Sequence, residues 1–168
     1  MSEKNINKDK KKSLFGGTWF HKIDPIITKW MSRNGYLLLR ISIGIVFFWF
    51  GFLKFFPGIS PAQDLAIRTI TLLSFGLIPD FIIINGLAFF EVLIGIELIT
   101  GMFMRETLLL LFLQLVGTFA PIFLFPDEVF KHIPYAPTLE GQYIIKNLVL
   151  VAAGILLGGK LHQNSAER

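Results

Sequence analysis

Apolar residues in this chain come in long unbroken blocks. They do not follow the alternation of a half-buried strand or the narrow stripe of a soluble helix. The first block is 36–56, "YLLLRISIGIVFFWFGFLKFF". Two more, 81–103 ("FIIINGLAFFEVLIGIELITGMF") and 107–125 ("TLLLLFLQLVGTFAPIFLF"), are separated only by Met104, Arg105 and Glu106; a fourth covers 142–159 ("QYIIKNLVLVAAGILLGG"). At ~1.5 Å of rise per residue, about twenty helical residues cross a ~30 Å hydrocarbon layer. The pattern therefore predicts an all-α membrane protein, a bundle of four transmembrane helices. The short connection between the second and third blocks makes those two antiparallel neighbours.

The polar stretches predict the rest. Residues 1–13 form a Lys-rich tail, read as disordered, and 161–168 a short polar tail. Residues 14–35 read as an interfacial amphipathic segment with its own short helix, capped by Asp24, with Pro25 in the first turn and Gly35 as the stop. Ile23, Ile26, Ile27, Trp30 and Met31 share one face, with Lys22, Lys29 and Arg33 polar, which suits the inner headgroup layer. Residues 60–75 open with the cap-and-first-turn pair Ser60–Pro61. They carry Asp64 and Arg68, too much charge to span, and so predict an interfacial or re-entrant helix on the outer side. The membrane domain proper is 36–160, and Pro121 is expected to kink the third span.

Composition sharpens this picture. The chain is 53% hydrophobic and only 17% charged, with a mean hydropathy of +0.61; soluble domains carry roughly 25% charge. It has no cysteine, which excludes disulfides, thiol redox chemistry, iron–sulfur clusters and cysteine-ligated zinc. His21, His132 and His162 all fall outside the spans, so neither haem nor a metal is expected there. No phosphate-binding glycine loop, nucleophile elbow or metalloprotease signature is present, and a self-contained enzyme is not expected. The cationic run Lys10–Lys11–Lys12 precedes an apolar span and reads as a cytoplasmic anchor rather than a nucleic-acid patch. With the N-terminus inside, the inner segments hold this tail, Arg105, Lys160 and Arg168, against only Arg68 and Lys131 outside. That asymmetry places both termini in the cytoplasm. The first block starts too late and runs too long for a cleavable signal.

Ionisable groups at membrane depth cost about 2.5–3.5 kcal/mol each near the centre, so they are expected to turn towards one another. Arg40 and Lys54 lie on the first span, Glu91 and Glu97 on the second, Gln114 on the third, Lys146 and Asn147 on the fourth. Arg40, Gly44, Phe47, Gly51 and Lys54 follow at steps of four, three, four and three, which makes one helical stripe. Matching depth pairs Arg40 with Glu97. Glu91 is in reach of Lys146 or, less comfortably, Lys54, and Gln114 can bond to it; snorkelling of Lys54 or Arg40 to the headgroups is the plain alternative. Gly44, Gly51, Gly95 and Gly154, with Gly101 and Gly117, are expected to let helices pack closely.

The stretches "LLRISIGIVFFWFGFLKFFP", "NGLAFFEVLIGIELITG" and "EGQYIIKNLVLVAAG" together resemble the DoxX-like membrane proteins and their related inner-membrane branch tied to reactive-chlorine resistance. The resemblance covers about 36–160 and attaches to Arg40, Gly44, Trp49, Gly51 and Lys54, to Glu91 and Gly95, and to Glu140, Gly141, Lys146 and Asn147. It implies a compact four-helix membrane protein in the bacterial inner membrane, a subunit or accessory in quinone-linked or oxidative-stress physiology. Quinone is the implied ligand, and the lipid bilayer, a protein partner or a second copy are the implied contacts. The absence of cysteine speaks against a direct redox role. A non-catalytic scaffold held in register by buried ion pairs is the competing reading, and an oligomeric proton or solute transporter the third.

Overall fold

The computed structural model describes residues 18–56, 58–60 and 63–166, with side chains from Ile23 to Leu161. The basic tail 1–13, the start of the 14–35 segment, Pro57, Pro61 and the side chains of His21 and His162 lie outside the described residues.

Helix α1, Thr18–Leu53, runs without a break through Gly35, and Pro25 lies inside it. The separate helix expected over 24–35, begun by Asp24–Pro25 and stopped by Gly35, is therefore not formed. One interior glycine costs only about 1 kcal/mol, and Leu37, Leu38 and Leu39 carry the helix on just beyond Gly35. A Cβ at Gly35 would meet nothing within 4 Å, so no contact demands a turn there. The chain divides into two compact units between Leu38 and Leu39. In the first, Ile26, Ile27, Trp30 and Met31 are exposed, and Asn34 donates to the carbonyl of Trp30 at 3.0 Å.

The second unit holds the remaining elements. They are α2 (Gln63–Leu73), α3 (Asp80–Thr100), α4 (Met104–Phe119), α5 (Pro121–Leu124), α6 (Pro126–Val129), β1 (Phe130–His132), β2 (Ala136–Pro137) and α7 (Leu139–Ala166). Among the described residues, four stretches are long and apolar enough to cross a membrane: Ile23–Leu53, Asp80–Thr100, Met104–Leu124 and Leu139–Leu161. The chain is thus a multi-pass membrane protein. Large apolar side chains such as Phe89, Leu109, Leu113, Val116, Leu148 and Val149 stand exposed along these helices. Water would penalise such continuous apolar surface, whereas acyl chains cover it.

Helix ends differ from the apolar block ends for local reasons. α3 stops at Thr100 because Gly101 adopts the left-handed conformation (φ 80°) and its N–H returns to the carbonyl of Glu97 at 2.7 Å, an αL cap. The hairpin turn is therefore 101–103, and Arg105 and Glu106 belong to the first turn of α4 rather than to the expected loop Met104–Glu106. The regular ladder of α4 ends ahead of Pro121, which lacks the N–H needed to continue it. The loop that follows contains a small antiparallel ribbon pairing Phe130 with Pro137 and His132 with Ala136. Thr138 then caps α7: its Oγ1 accepts the N–H of Gly141 at 3.1 Å and donates to the carbonyl of Glu128 at 2.6 Å.

The stripe read on the first span is buried as expected: Gly44, Phe47 and Gly51 are enclosed, and Arg40 and Lys54 are half-buried. It faces α3. A Cβ at Gly44 would lie 2.9 Å from the carbonyl oxygen of Gly95, one at Gly95 would lie 2.5 Å from the backbone nitrogen of Phe48, and one at Gly51 would lie 2.8 Å from that of Val92. As the number rises on α1 it falls on α3, so the two run antiparallel with their backbones almost touching. Gly154 of α7 instead makes room for a side chain: a Cβ there would lie 3.0 Å from Cζ of Phe112 on α4. Gly117 has nothing within 4 Å and is not a packing glycine.

Candidate functional site

Glu91 sits on α3 where Gly51 of α1 leaves no side chain in the way, and it is buried. One turn beyond Gly51, Lys54 reaches back and forms an ion pair with Oε2 of Glu91; the two side chains are 13% and 12% exposed. From α4, Gln114 Nε2 donates to Oε1 of the same carboxylate at 2.7 Å. Both carboxylate oxygens are thus engaged, one by a cation and one by an amide. An ionised carboxylate only accepts, so the amide must present its nitrogen. That leaves Gln114 Oε1 buried without a protein partner among the described residues.

The sequence reading preferred Lys146 as the mate of Glu91, and Lys54 takes that place. Depth reckoned from block ends makes Lys54 the less comfortable of the two partners for Glu91; the Gly51–Glu91 contact brings their levels to within a turn. Lys146, on α7, instead holds its ammonium 5.9 Å from the centre of the Tyr143 ring, and Asn147 is half-buried beside it.

These groups line one cavity of about 470 Å³, a size typical of small-molecule sites. Lys54, Glu91, Gln114, Glu140, Tyr143, Lys146 and Asn147 are among its polar lining. Phe47, Phe50, Leu87 and Leu115 are among its apolar lining, and Leu65, Ala66, Thr69 and Ile70 of α2 close one side. The arrangement is amphipathic. A flat polar head could find donors in Lys146 and Asn147 while its apolar remainder lies against phenylalanine and leucine.

Arg40 and Glu97 do not pair. Arg40 Nη2 donates weakly to the carbonyl of Ile99 at 3.5 Å, and Glu97 Oε2 accepts from the hydroxyl of Thr107 at 2.7 Å. The end of α3 explains the swap. Its last carbonyls carry the negative end of the helix dipole, and the bare Gly101 leaves room for the guanidinium against it. A Cβ on Gly101 would collide with Arg40. Gly101→Ala is therefore expected to lower stability by about 1–2 kcal/mol through the left-handed backbone, with little added by the collision, because the guanidinium is the far end of a flexible side chain and can move aside. Gly58→Ala, also at positive φ (77°) but with nothing within 4 Å, isolates the backbone share; comparing the two unfolding midpoints in detergent checks this. Trp49, which the family resemblance singles out, is 64% exposed on the outer surface of α1 and takes no part in the cluster.

Four contributors escaped the sequence reading: Thr107, Tyr143, Thr138, and the pair Arg68–Glu128. Arg68 of α2 grips Glu128 of α6 with both ends of its guanidinium, Nη1 donating to Oε1 at 2.7 Å and Nη2 bonding to Oε2. The guanidinium also lies 5.3 Å from the centre of the Phe125 ring. Opposite charges in two outer loops were the only signal, and nothing in the sequence ties partners sixty residues apart. The hydrogen bond from Arg68 holds the Glu128 carboxyl below its usual value of 4.5. A carboxyl depressed by folding contributes stability above its unfolded pKa and loses it as pH falls through the folded one. The midpoint difference between the parent chain and Glu128→Gln should therefore be constant from pH 7 to 5 and shrink only below about 4.5.

No protein-family model matches this chain, and neither curated proteins nor solved structures give a match.

Proposed function

We propose that this chain is a four-helix membrane bundle of the DoxX-like type, a subunit or accessory in quinone-linked or oxidative-stress physiology that takes a quinone-like head group into the cavity at Glu91. In this reading the protein lies in the bacterial inner membrane with both termini cytoplasmic, residues 14–35 near the inner headgroups, and α2 on the outer face. One observation carries it: a 470 Å³ amphipathic cavity whose polar wall, Lys54, Glu91, Gln114, Lys146 and Asn147, comes from three helices, α3, α4 and α7, and from the turn that follows α1. A scaffold needs ion pairs to fix register, but it has no need of an open space beside them.

The residues fit such a head group. Lys146 and Asn147 offer donors to ring carbonyls, Tyr143 offers a ring face, and the phenylalanines enclose the apolar tail. A bound quinone would supply electron and proton capacity. The chain's own contribution is to hold and orient it: Lys54 fixes one oxygen of Glu91, and Gln114 fixes the other. Solvent extraction of protein purified in mild detergent, followed by mass spectrometry, should recover quinone near one equivalent. Lys146→Met with Asn147→Leu should reduce the recovered amount at least tenfold while the protein stays folded. Recovery no greater than that from an unrelated membrane protein would refute the reading. Cells lacking the protein would then be compared for hypochlorite sensitivity, with the Glu91→Gln and Lys54→Met double variant separating scaffold from ligand site.

A further inference from the structure

Helix α2 forms one wall of the cavity through Leu65, Ala66, Thr69 and Ile70, and it is lightly held. Of its eleven residues only Leu65 and Thr69 are buried. Leu65 enters a small cluster with Val129 and Ile144, backed by Phe125 and Phe130. Two polar attachments join it as well: Arg68, whose paired hydrogen bonds to Glu128 tie the outer flank of α2 to α6, and the Thr71 hydroxyl, which donates at 3.5 Å to the carboxylate of Asp80 at the start of α3. Both partners are about half exposed, at 51% and 41%. The connections at either end each carry a glycine in the left-handed region, Gly58 (φ 77°) and Gly76 (φ 72°), and no heavy atom lies within 4 Å of a Cβ built on either. A short helix over a cavity, flanked on each side by a glycine in the left-handed region and fastened from outside by one ion pair and one long hydrogen bond, has the construction of a cover.

We propose that α2 is the movable cover of the cavity and that the Arg68–Glu128 pair is its latch. The function of the cover rests on the reading that the cavity takes a ligand; its mobility does not. Release of the latch lets α2 swing on Gly58 and Gly76 and opens the polar wall at Lys54, Glu91 and Gln114 to the outer side. Exposed ion pairs are weak, which suits a fastening that must open. Phe125 under the guanidinium restores the latched position when the pair re-forms.

The chain has no cysteine, so one introduced thiol reports on the cavity alone. Thr118 lines the cavity from α4 and is half-buried. Thr118→Cys in the full chain, in detergent, would be alkylated with N-ethylmaleimide and followed by mass. The rate should be well below that of the denatured chain, and rise about three- to fivefold when Arg68→Ala or Glu128→Ala is added. The exchanged pair, Arg68→Glu with Glu128→Arg, should bring it back to within about twofold of the start, which separates a latch from general loosening. Equal rates in all variants, or an exchanged pair as fast as the single alanines, would overturn the proposal. So would a Thr118→Cys thiol that reacts as fast folded as denatured. Latch-dependent rates in a protein that yields no quinone would sustain the cover and remove the quinone.

Discussion

Lys54→Met is expected to destabilise the protein by about 3–5 kcal/mol, because it strands the Glu91 carboxylate in an apolar interior with only an amide for company. The reverse change, Glu91→Leu, leaves a cation with the same problem, although the Lys54 stem sits near a helix end and can carry its charge outward; its cost should fall towards the lower limit. The double variant, Lys54→Met with Glu91→Leu, removes both charges and should recover to within about 1–2 kcal/mol of the parent, since a buried pair and an apolar replacement of similar volume are often near balance. Gln114 keeps the balance from being complete, for its amide loses its acceptor. Denaturant titration in mixed micelles measures all three. A double variant as unstable as either single would show that the two side chains matter for separate reasons, and the coupling drawn between α1 and α3 would fall.

Gly95→Ala carries the second large effect, a loss of about 3 kcal/mol. The added methyl would lie 2.5 Å from the backbone nitrogen of Phe48 and 2.7 Å from its Cα. Backbone cannot rotate aside as a side-chain tip can, so α1 and α3 must part along their length, and overpacking of this kind typically costs 1–3 kcal/mol. In a bilayer the loss is felt more keenly, because close contact rather than water exclusion holds helices together. The parting would also stretch the Lys54–Glu91 pair, one turn and a half away. Gly86, on the same helix, has nothing within 4 Å of its Cβ position, and Gly86→Ala should be neutral or stabilising by about 0.5–1 kcal/mol. Two identical substitutions nine residues apart on one helix are thus expected to differ in sign. Equal midpoints for the two would mean that the helices do not approach as closely as described.

Both results bear on the cavity. Its polar wall depends on Glu91 being held, and Glu91 is held because Gly51 and Gly95 let α1 lie against α3. The same glycines that a bland reading assigns to packing therefore place the candidate site. Packing and site are one construction here, and a variant that spares the fold while emptying the wall has to be sought on α7, at Lys146 and Asn147, away from the α1–α3 contact.

The sequence by itself determined the four apolar spans, the helical class, the buried stripe from Arg40 to Lys54 and the set of polar residues that must avoid lipid. These follow from local physics: an apolar stretch of sufficient length can cross a bilayer only as a helix or within a closed barrel, and spacing along a helix decides which residues share a face. Helix boundaries were less legible. Gly35 and Gly101 are the same residue type, yet one is passed through and the other ends a helix, because only at Gly101 do the turn and the Arg40 side chain use the freedom it offers. Partner choice was settled by tertiary structure alone. Lys54 rather than Lys146 meets Glu91, Thr107 rather than Arg40 meets Glu97, and Arg68 finds Glu128 across sixty residues. Such choices turn on shifts of a single helical turn, set by how glycines seat one backbone on another, and a linear string of residues carries no ruler for that distance.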